Sequence, residues 1–225
     1  MSRLGRLAMS ALMTALLLLA LPLAGCVSVD ISDETDIDAT ASNVVVGGEG
    51  MATIYLAGGC FWGVEKYMSS VRGVTDAEAG YAQGVTESPT YRDVTTGKTG
   101  YTETVRVEYD PAVAPLPFLL DLFYEAIDPT SLNRQGNDVG TQYRSGIYYS
   151  DPADRPVIER SLAELQERFD DPIVVEAEPL KSYTPAEEYH QDYLDKTPGG
   201  YCHIDRDLFE KAASALPEAS HFESR

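Results

Sequence analysis

The spacing of apolar positions divides the chain into three zones. Arg3 and Arg6 precede an apolar run from Leu7 to Leu23. Residues 27–50 then carry six acids, no basic residue and several Ser, Thr and Gly, the pattern of a solvated tether. From about residue 51 onward, strand and helix periods alternate. Strands are predicted near 53–57, 74–81, 102–109, 146–150 and 173–178, and helices near 60–70, 115–126, 153–168, 186–194 and 206–215. Phe61, Val64, Met68 and Val71 make the apolar stripe of the first helix. Leu116, Leu119, Leu120 and Phe123 make that of the second, and Ile158, Leu162, Leu165 and Phe169 that of the third. Such alternation predicts an α/β (α+β) class, one domain over 51–225 with helices packed on a mixed sheet. Two polar, Gly-containing segments, 82–100 and 128–145, are long enough to be functional loops.

The stretch Gly58-Gly59-Cys60-Phe61-Trp62-Gly63-Val64-Glu65 joins the first strand to the first helix. Glycines there admit unusual dihedrals and close neighbours, and the free amides and positive dipole end of the helix favour an anion. A cysteine at a helix N-terminus is expected to have a lowered pKa and enhanced nucleophilicity; the plainer reading of Cys60 is a buried structural thiol. Trp62 falls off the apolar stripe beside Glu65, Lys66 and Ser69, which suits the wall of a pocket next to Cys60. Glu103 alternates with Val105 and Val107 in a strand, so it should point to the buried side, where desolvation would help a carboxyl keep its proton.

Charge narrows the partners. The sequence has a formal net charge of −19, which disfavours nucleic acid and anionic lipid as charge-driven partners. The basic, apolar and small residues of 1–25 read as a secretory signal. Leu23-Ala24-Gly25-Cys26 resembles a bacterial lipobox, making Cys26 the lipid-attachment residue, 26–50 an acidic tether, and the protein extracytoplasmic and lipid-anchored to a membrane. A cleaved signal with a spare cysteine and a retained transmembrane anchor are the alternatives. Cys60 and Cys202 then remain, in a setting that permits a disulfide between them, either as a permanent staple or as a redox pair. Three histidines, at 190, 203 and 221, lack ligand spacing for a metal.

Six blocks carry a resemblance to the peptide methionine sulfoxide reductases of the A type. They are Gly59-Cys60-Phe61-Trp62-Gly63, Gly80-Tyr81-Ala82-Gln83-Gly84, Pro89-Thr90-Tyr91-Arg92-Asp93-Val94, Thr99-Gly100 with Glu103, Gln135-Gly136-Asn137-Asp138 with Gly140-Thr141-Gln142-Tyr143-Arg144-Ser145, and Glu188-Tyr189-His190-Gln191-Asp192-Tyr193. They stand in the family's order over about residues 51 to 205. The resemblance implies a two-layer sandwich with a ferredoxin-like core and reduction of the S epimer of methionine sulfoxide, without a bound cofactor. It implies Cys60 as nucleophile, Glu103 as acid, Tyr91 and Tyr143 as donors to the sulfoxide oxygen, and Asp138 as an organiser of the site. Phe61 and Trp62 would seat the methyl group, with His190 and Tyr193, at i and i+3 on one helix face, bordering it. Cys202 would resolve a Cys60 sulfenic acid, aided by the Gly199-Gly200 pair, and a thioredoxin-like dithiol would reopen the disulfide. Oxidised proteins would be the substrates and the chain would act as a monomer. Two positions depart from the family pattern: Tyr101, where His is frequent, and Gln83, where Gly is common. Two rival functions are a Cys-His hydrolase pairing Cys60 with His190, and a non-enzymatic lipoprotein that binds peptides at Trp62.

Overall fold

Apolar residues at every second position and at helical intervals give strands and helices in alternation. In the computed structural model, which describes residues 50–223, the order is β1 (Ala52–Ala57), α1 (Phe61–Ser69), β2 (Val74–Ala82), α2 (Tyr91–Val94), β3 (Thr102–Tyr109), α3 (Leu116–Glu125), β4 (Arg134–Gln135), β5 (Asp138–Val139), β6 (Gly146–Tyr149), α4 (Arg155–Gln166), β7 (Glu176–Pro179), β8 (Tyr183–Pro185), α5 (Tyr193–Lys196), α6 (Asp207–Ser214) and α7 (Ala219–Phe222). Six strands form one sheet in the order β7-β6-β1-β3-β2-β8, and β4 pairs with β5 separately. All neighbours in the large sheet are antiparallel except β6 and β7, which makes the sheet mixed. Within it, β1, β2, β3 and β6 stand in the order β6-β1-β3-β2 with α1 and α3 as crossovers, the ferredoxin-like arrangement.

The central strand shows why the helices cover one face. Along β3, Glu103, Val105, Val107 and Tyr109 are buried within the main apolar cluster or beside it, whereas Arg106 on the opposite face pairs with Asp76, Glu78 and Glu108. The predicted stripes of α1 and α3 are buried as the periodicity requires. Helix α1 is also buried at Glu65 and Tyr67, because α5 and α6 close over its flank. Glu65 therefore does not lie on the polar face that simple amphipathicity assigns to it. Helix α4 stops at Gln166, so Phe169 lies beyond the stripe and is exposed.

Two predicted elements differ from the structure. The helix predicted over 186–194 is absent; only Tyr193–Lys196 is helical, and Asp192 before it has φ 51°. That left-handed residue ends any continuous helix. The preceding stretch instead finishes the sheet edge: Gln191 Oε1 accepts from the Ala79 amide at 2.9 Å, and its Nε2 donates to the Ala79 carbonyl at 2.9 Å. The strand predicted over 173–178 pairs only from Glu176 to Pro179, where it runs parallel to β6. Among the described residues no helix is long and apolar enough to cross a membrane. Residues 1–49, with Cys26 and most of the expected tether, lie outside the described residues.

Candidate active site

Cys60 occupies the N-cap of α1 with extended backbone, φ −63° and ψ 123°, and is 6% exposed. The two glycines before it are demanded by close approach. A methyl group at Gly58 would lie 2.6 Å from Ile127 Cγ2, and one at Gly59, where φ is 82°, would lie 2.5 Å from Gln135 Cβ. The expectation of a lowered Cys60 pKa is not met. Burial pushes the thiol well up, the Glu103 carboxylate adds to that, and the Trp62 amide opposes it without prevailing. One reason is that the helix end serves another group: the Phe61 amide donates to Glu103 Oε2 at 3.0 Å. At rest Cys60 is a protonated thiol.

Glu103 is 1% exposed, on the helix-facing side of β3 as the alternation predicts. Burial raises its pKa to about 8, with the Phe61 amide pulling the other way and Asp138 adding to the rise. A carboxyl that still holds its proton at neutral pH therefore stands next to Cys60. Tyr91 begins α2, whose N-cap Thr90 and Asp93 form a capping box. Tyr143 ends a single 3₁₀ turn, Thr141–Tyr143. Burial pushes Tyr91 up to about 12 and raises Tyr143 as well, and ionisation of Glu103 or Cys60 would raise both further. Both phenols thus keep their protons as hydrogen-bond donors. Asp138, in β5 opposite Gln135, accepts from the Tyr201 hydroxyl at 3.0 Å. It is part of the same electrostatic neighbourhood, since its charge raises Cys60, Glu103, Tyr91 and Tyr143.

An aromatic wall flanks this cluster. Trp62 stacks on Tyr193 with ring centroids 3.8 Å apart, and its Nε1 donates to His190 Nδ1 at 3.1 Å. The buried His190 ring also meets Phe61, Tyr91 and Tyr189 at centroid separations of 4.9, 4.5 and 4.2 Å. His190 and Tyr193 therefore do border the site, but from a turn and a short helix rather than from one helix face. Burial lowers the His190 pKa, with Glu187 opposing, so the ring is neutral. Its Nδ1 accepts from Trp62 and its Nε2 has no hydrogen-bond partner, so His190 makes no hydrogen bond to Cys60. The Cys60–His190 pairing that a hydrolase requires is not formed.

Cys202 is a free thiol, as is Cys60, and it packs over α1: a methyl group at Gly63 would lie 3.0 Å from its Sγ. A methyl group at Gly199 would meet nothing within 4 Å, so the chain before Cys202 faces open space there. Among the described residues no group of three or more His, Cys, Asp or Glu side chains is arranged to hold a metal ion.

Several contributors carry no signal in the hydrophobic pattern. Glu187 accepts from the Tyr91 amide at 2.8 Å and from the Tyr81 hydroxyl at 2.7 Å, tying α2 to the sheet. Glu65 is buried beneath the Trp62 wall, and burial raises it to about 7 against the pull of the Asp192, Ala79 and Tyr193 amides. The two departures from the family pattern also have structural roles. Gln83 takes φ 67°, accepts from the Lys181 amide at 2.7 Å and donates to the Pro179 carbonyl at 3.1 Å. The Tyr101 ring covers Gly84, and its hydroxyl donates to the Thr86 carbonyl at 2.5 Å.

Known proteins resemble this chain in sequence and fold. Residues 52–220 match the family model described as peptide methionine sulfoxide reductase. The chain is 53% identical over 163 residues to the peptide methionine sulfoxide reductase MsrA of Lachnoclostridium phytofermentans, covering 72% of this chain and 98% of that one. It is 55% identical over 157 residues to the MsrA of Clostridium perfringens, covering 70% and 100%. Among solved structures, Mxr1 from Saccharomyces cerevisiae in reduced form is similar with a TM-score of 0.66 at 39% identity, over 69% of this chain and 91% of that one. Methionine sulfoxide reductase A of Corynebacterium diphtheriae gives 0.62 at 42% identity, over 69% and 79%. With the family model matching residues 52–220, relatives more than half identical over nearly their whole length, and a fold shared with solved members, this chain belongs to the peptide methionine sulfoxide reductase family.

Proposed function

We propose that the protein reduces methionine-(S)-sulfoxide in proteins and peptides by thiol chemistry. The observation that carries this reading is the buried, proton-holding Glu103 beside Cys60, the two joined through the Phe61 amide. The sulfoxide oxygen would receive the Glu103 proton and hydrogen bonds from Tyr91 and Tyr143, while its methyl group rests on Phe61 and Trp62. As the Cys60 sulfur attacks the sulfoxide sulfur, the thiol proton passes to the Glu103 carboxylate. Collapse moves the oxygen with its proton to Cys60 as a sulfenic acid and releases methionine, leaving Glu103 as the carboxyl that the thiol proton restored. Cys202 then attacks the sulfenic sulfur, expelling water and forming a Cys60–Cys202 disulfide, which a thioredoxin-like dithiol reopens by exchange. No bound cofactor takes part.

The test is the purified protein with dithiothreitol and separate S and R epimers of a blocked methionine sulfoxide. Methionine release from the S epimer alone, lost in Cys60→Ser, is the expected result. Release from neither epimer would refute the reading and favour peptide binding at the Trp62 wall.

The N-terminal sequence supports a location for this activity: the chain is a lipoprotein of the cell envelope, anchored through Cys26, with 26–50 as spacer and 51–225 as the catalytic domain acting as a monomer on oxidised envelope proteins. One acyl chain binds membranes only marginally, so stable anchoring needs the several chains of a lipoprotein cysteine. Fractionation of cells making the full chain should find it with membranes and its Cys26→Ala variant released. Equal partitioning of the two would overturn the anchor.

A further inference from the structure

The two residues that bracket Cys202 both turn to one carboxylate. Tyr201 donates its hydroxyl to Asp138 Oδ2 at 3.0 Å, and His203 Nδ1 lies 4.0 Å from the same oxygen. The His203 ring is buried, with neither nitrogen in a hydrogen bond. It is wedged against the glycines of the site: a methyl group at Gly59 would lie 3.0 Å from His203 Cε1, and one at Gly136 would lie 3.1 Å from His203 Cβ. Cys202 between them rests on Gly63 of α1, in the first turn after Cys60. Further along, Arg206 Nη2 donates to the Gly200 carbonyl at 2.9 Å and closes the segment into a compact loop. The coil segment that follows an open glycine is held by these contacts and by Ile204, 4% exposed in the main apolar cluster. Two of them converge on Asp138, a residue that the sulfoxide site also uses.

Resting on the reductase reading above, we propose that Tyr201 and His203 are positioning residues for the recycling step, clamping the Cys202 segment to Asp138 so that its thiol waits over α1 beside the sulfur it must attack. When Cys60 becomes a sulfenic acid, the Cys202 sulfur forms the new S–S bond. The Cys60 S–O bond breaks, and the hydroxyl leaves as water with the proton of the Cys202 thiol. Cys60 is reduced and Cys202 is oxidised, so no further reductant enters until the disulfide is opened. The first step should not need the clamp, because among the described residues neither Tyr201 nor His203 is hydrogen-bonded to Glu103, Tyr91 or Tyr143. The clamp raises the local concentration of the resolving thiol, as a short tether does.

The test is a single turnover of the full chain with the S epimer and no external reductant, quenched at intervals. Methionine release and loss of free thiols are followed separately. In Tyr201→Phe, which removes one hydroxyl, methionine release should match the parent while disulfide formation slows by about tenfold, the scale of one hydrogen bond to a charged group; in His203→Gln, which removes a wedged ring and no hydrogen bond, release should also match while disulfide formation slows by less. Turnover with dithiothreitol, a small thiol able to reach the sulfenic acid itself, should stay near the parent rate. Thiol loss at the parent rate in both variants would overturn the clamp. So would equal slowing of methionine release and disulfide formation, which would assign the Tyr201 contact to the sulfoxide step instead. Failure of the parent to release methionine would refute the reductase reading itself, a result distinct from either.

Discussion

The two sulfur atoms of the site sit in unlike surroundings. Cys60 and Glu103 are carried by α1 and β3, in the centre of the sheet-and-helix packing, and both are nearly inaccessible. Cys202 lies in a coil segment between α5 and α6, half-buried and held by side-chain contacts, with Tyr201 beside it 41% exposed. The contrast arises because the two halves of the reaction ask for opposite things. Oxygen transfer needs a dry place where a carboxyl keeps its proton and donors are fixed in advance. Recycling needs a thiol that can reach the first sulfur and then present a disulfide to an outside protein, which a fixed core position would forbid.

A graded series of losses follows from this division. Cys60→Ser should abolish methionine release altogether, measured by quantifying methionine from the S epimer, because no other group among the described residues is placed to take the oxygen. Cys202→Ser should give about one methionine per protein with a thioredoxin-type donor, since the sulfenic acid then lacks its partner. Sustained turnover in that variant with the protein donor would break the division between the two regions. Glu103→Gln should slow the first step by about 10²-fold with the fold intact, the scale of general acid catalysis, measured as single-turnover release. The smallest effect belongs to Glu65. Its carboxyl is raised from 4.5 to about 7 by burial, so in that interval the folded state binds a proton that the unfolded chain has lost. Stability from this group is therefore highest at low pH and declines as pH rises through the interval. Melting temperatures of Glu65→Gln and the parent should accordingly shift in the variant's favour between pH 5 and pH 8, and a pH-independent difference would show that the carboxyl does not gain a proton on folding.

What was legible in the sequence follows from the range of the signal. Period-2 alternation in 102–109 places Glu103 on the buried face, and the stripes of α1 and α3 predict their packing, because these patterns are local and each is satisfied by one neighbour. The stretch 186–194 reads as a helix by spacing, yet its residues are committed to tertiary contacts. Gln191 pairs with Ala79 across the chain, and Asp192 turns left-handed. No local pattern encodes that exchange. The Cys60 pKa misleads for a similar reason. A helix N-terminus is visible in the sequence, but the depth of burial and the carboxyl brought by β3 are not, and they outweigh it. Glu187, Tyr201 and His203 escape notice because their partners, Tyr91 and Asp138, stand far away along the chain.

Whether a neutral Glu103 beside a protonated Cys60 drives oxygen transfer is decided by the pH profile of single-turnover methionine release from the S epimer. The rate should be level below about pH 8 and fall above it as Glu103 loses its proton, with Glu103→Gln slow and without that fall. A parent rate that instead climbs through pH 8 and beyond, matched in shape by Glu103→Gln, would mean that thiolate formation alone sets the reaction and that the buried carboxyl is a bystander.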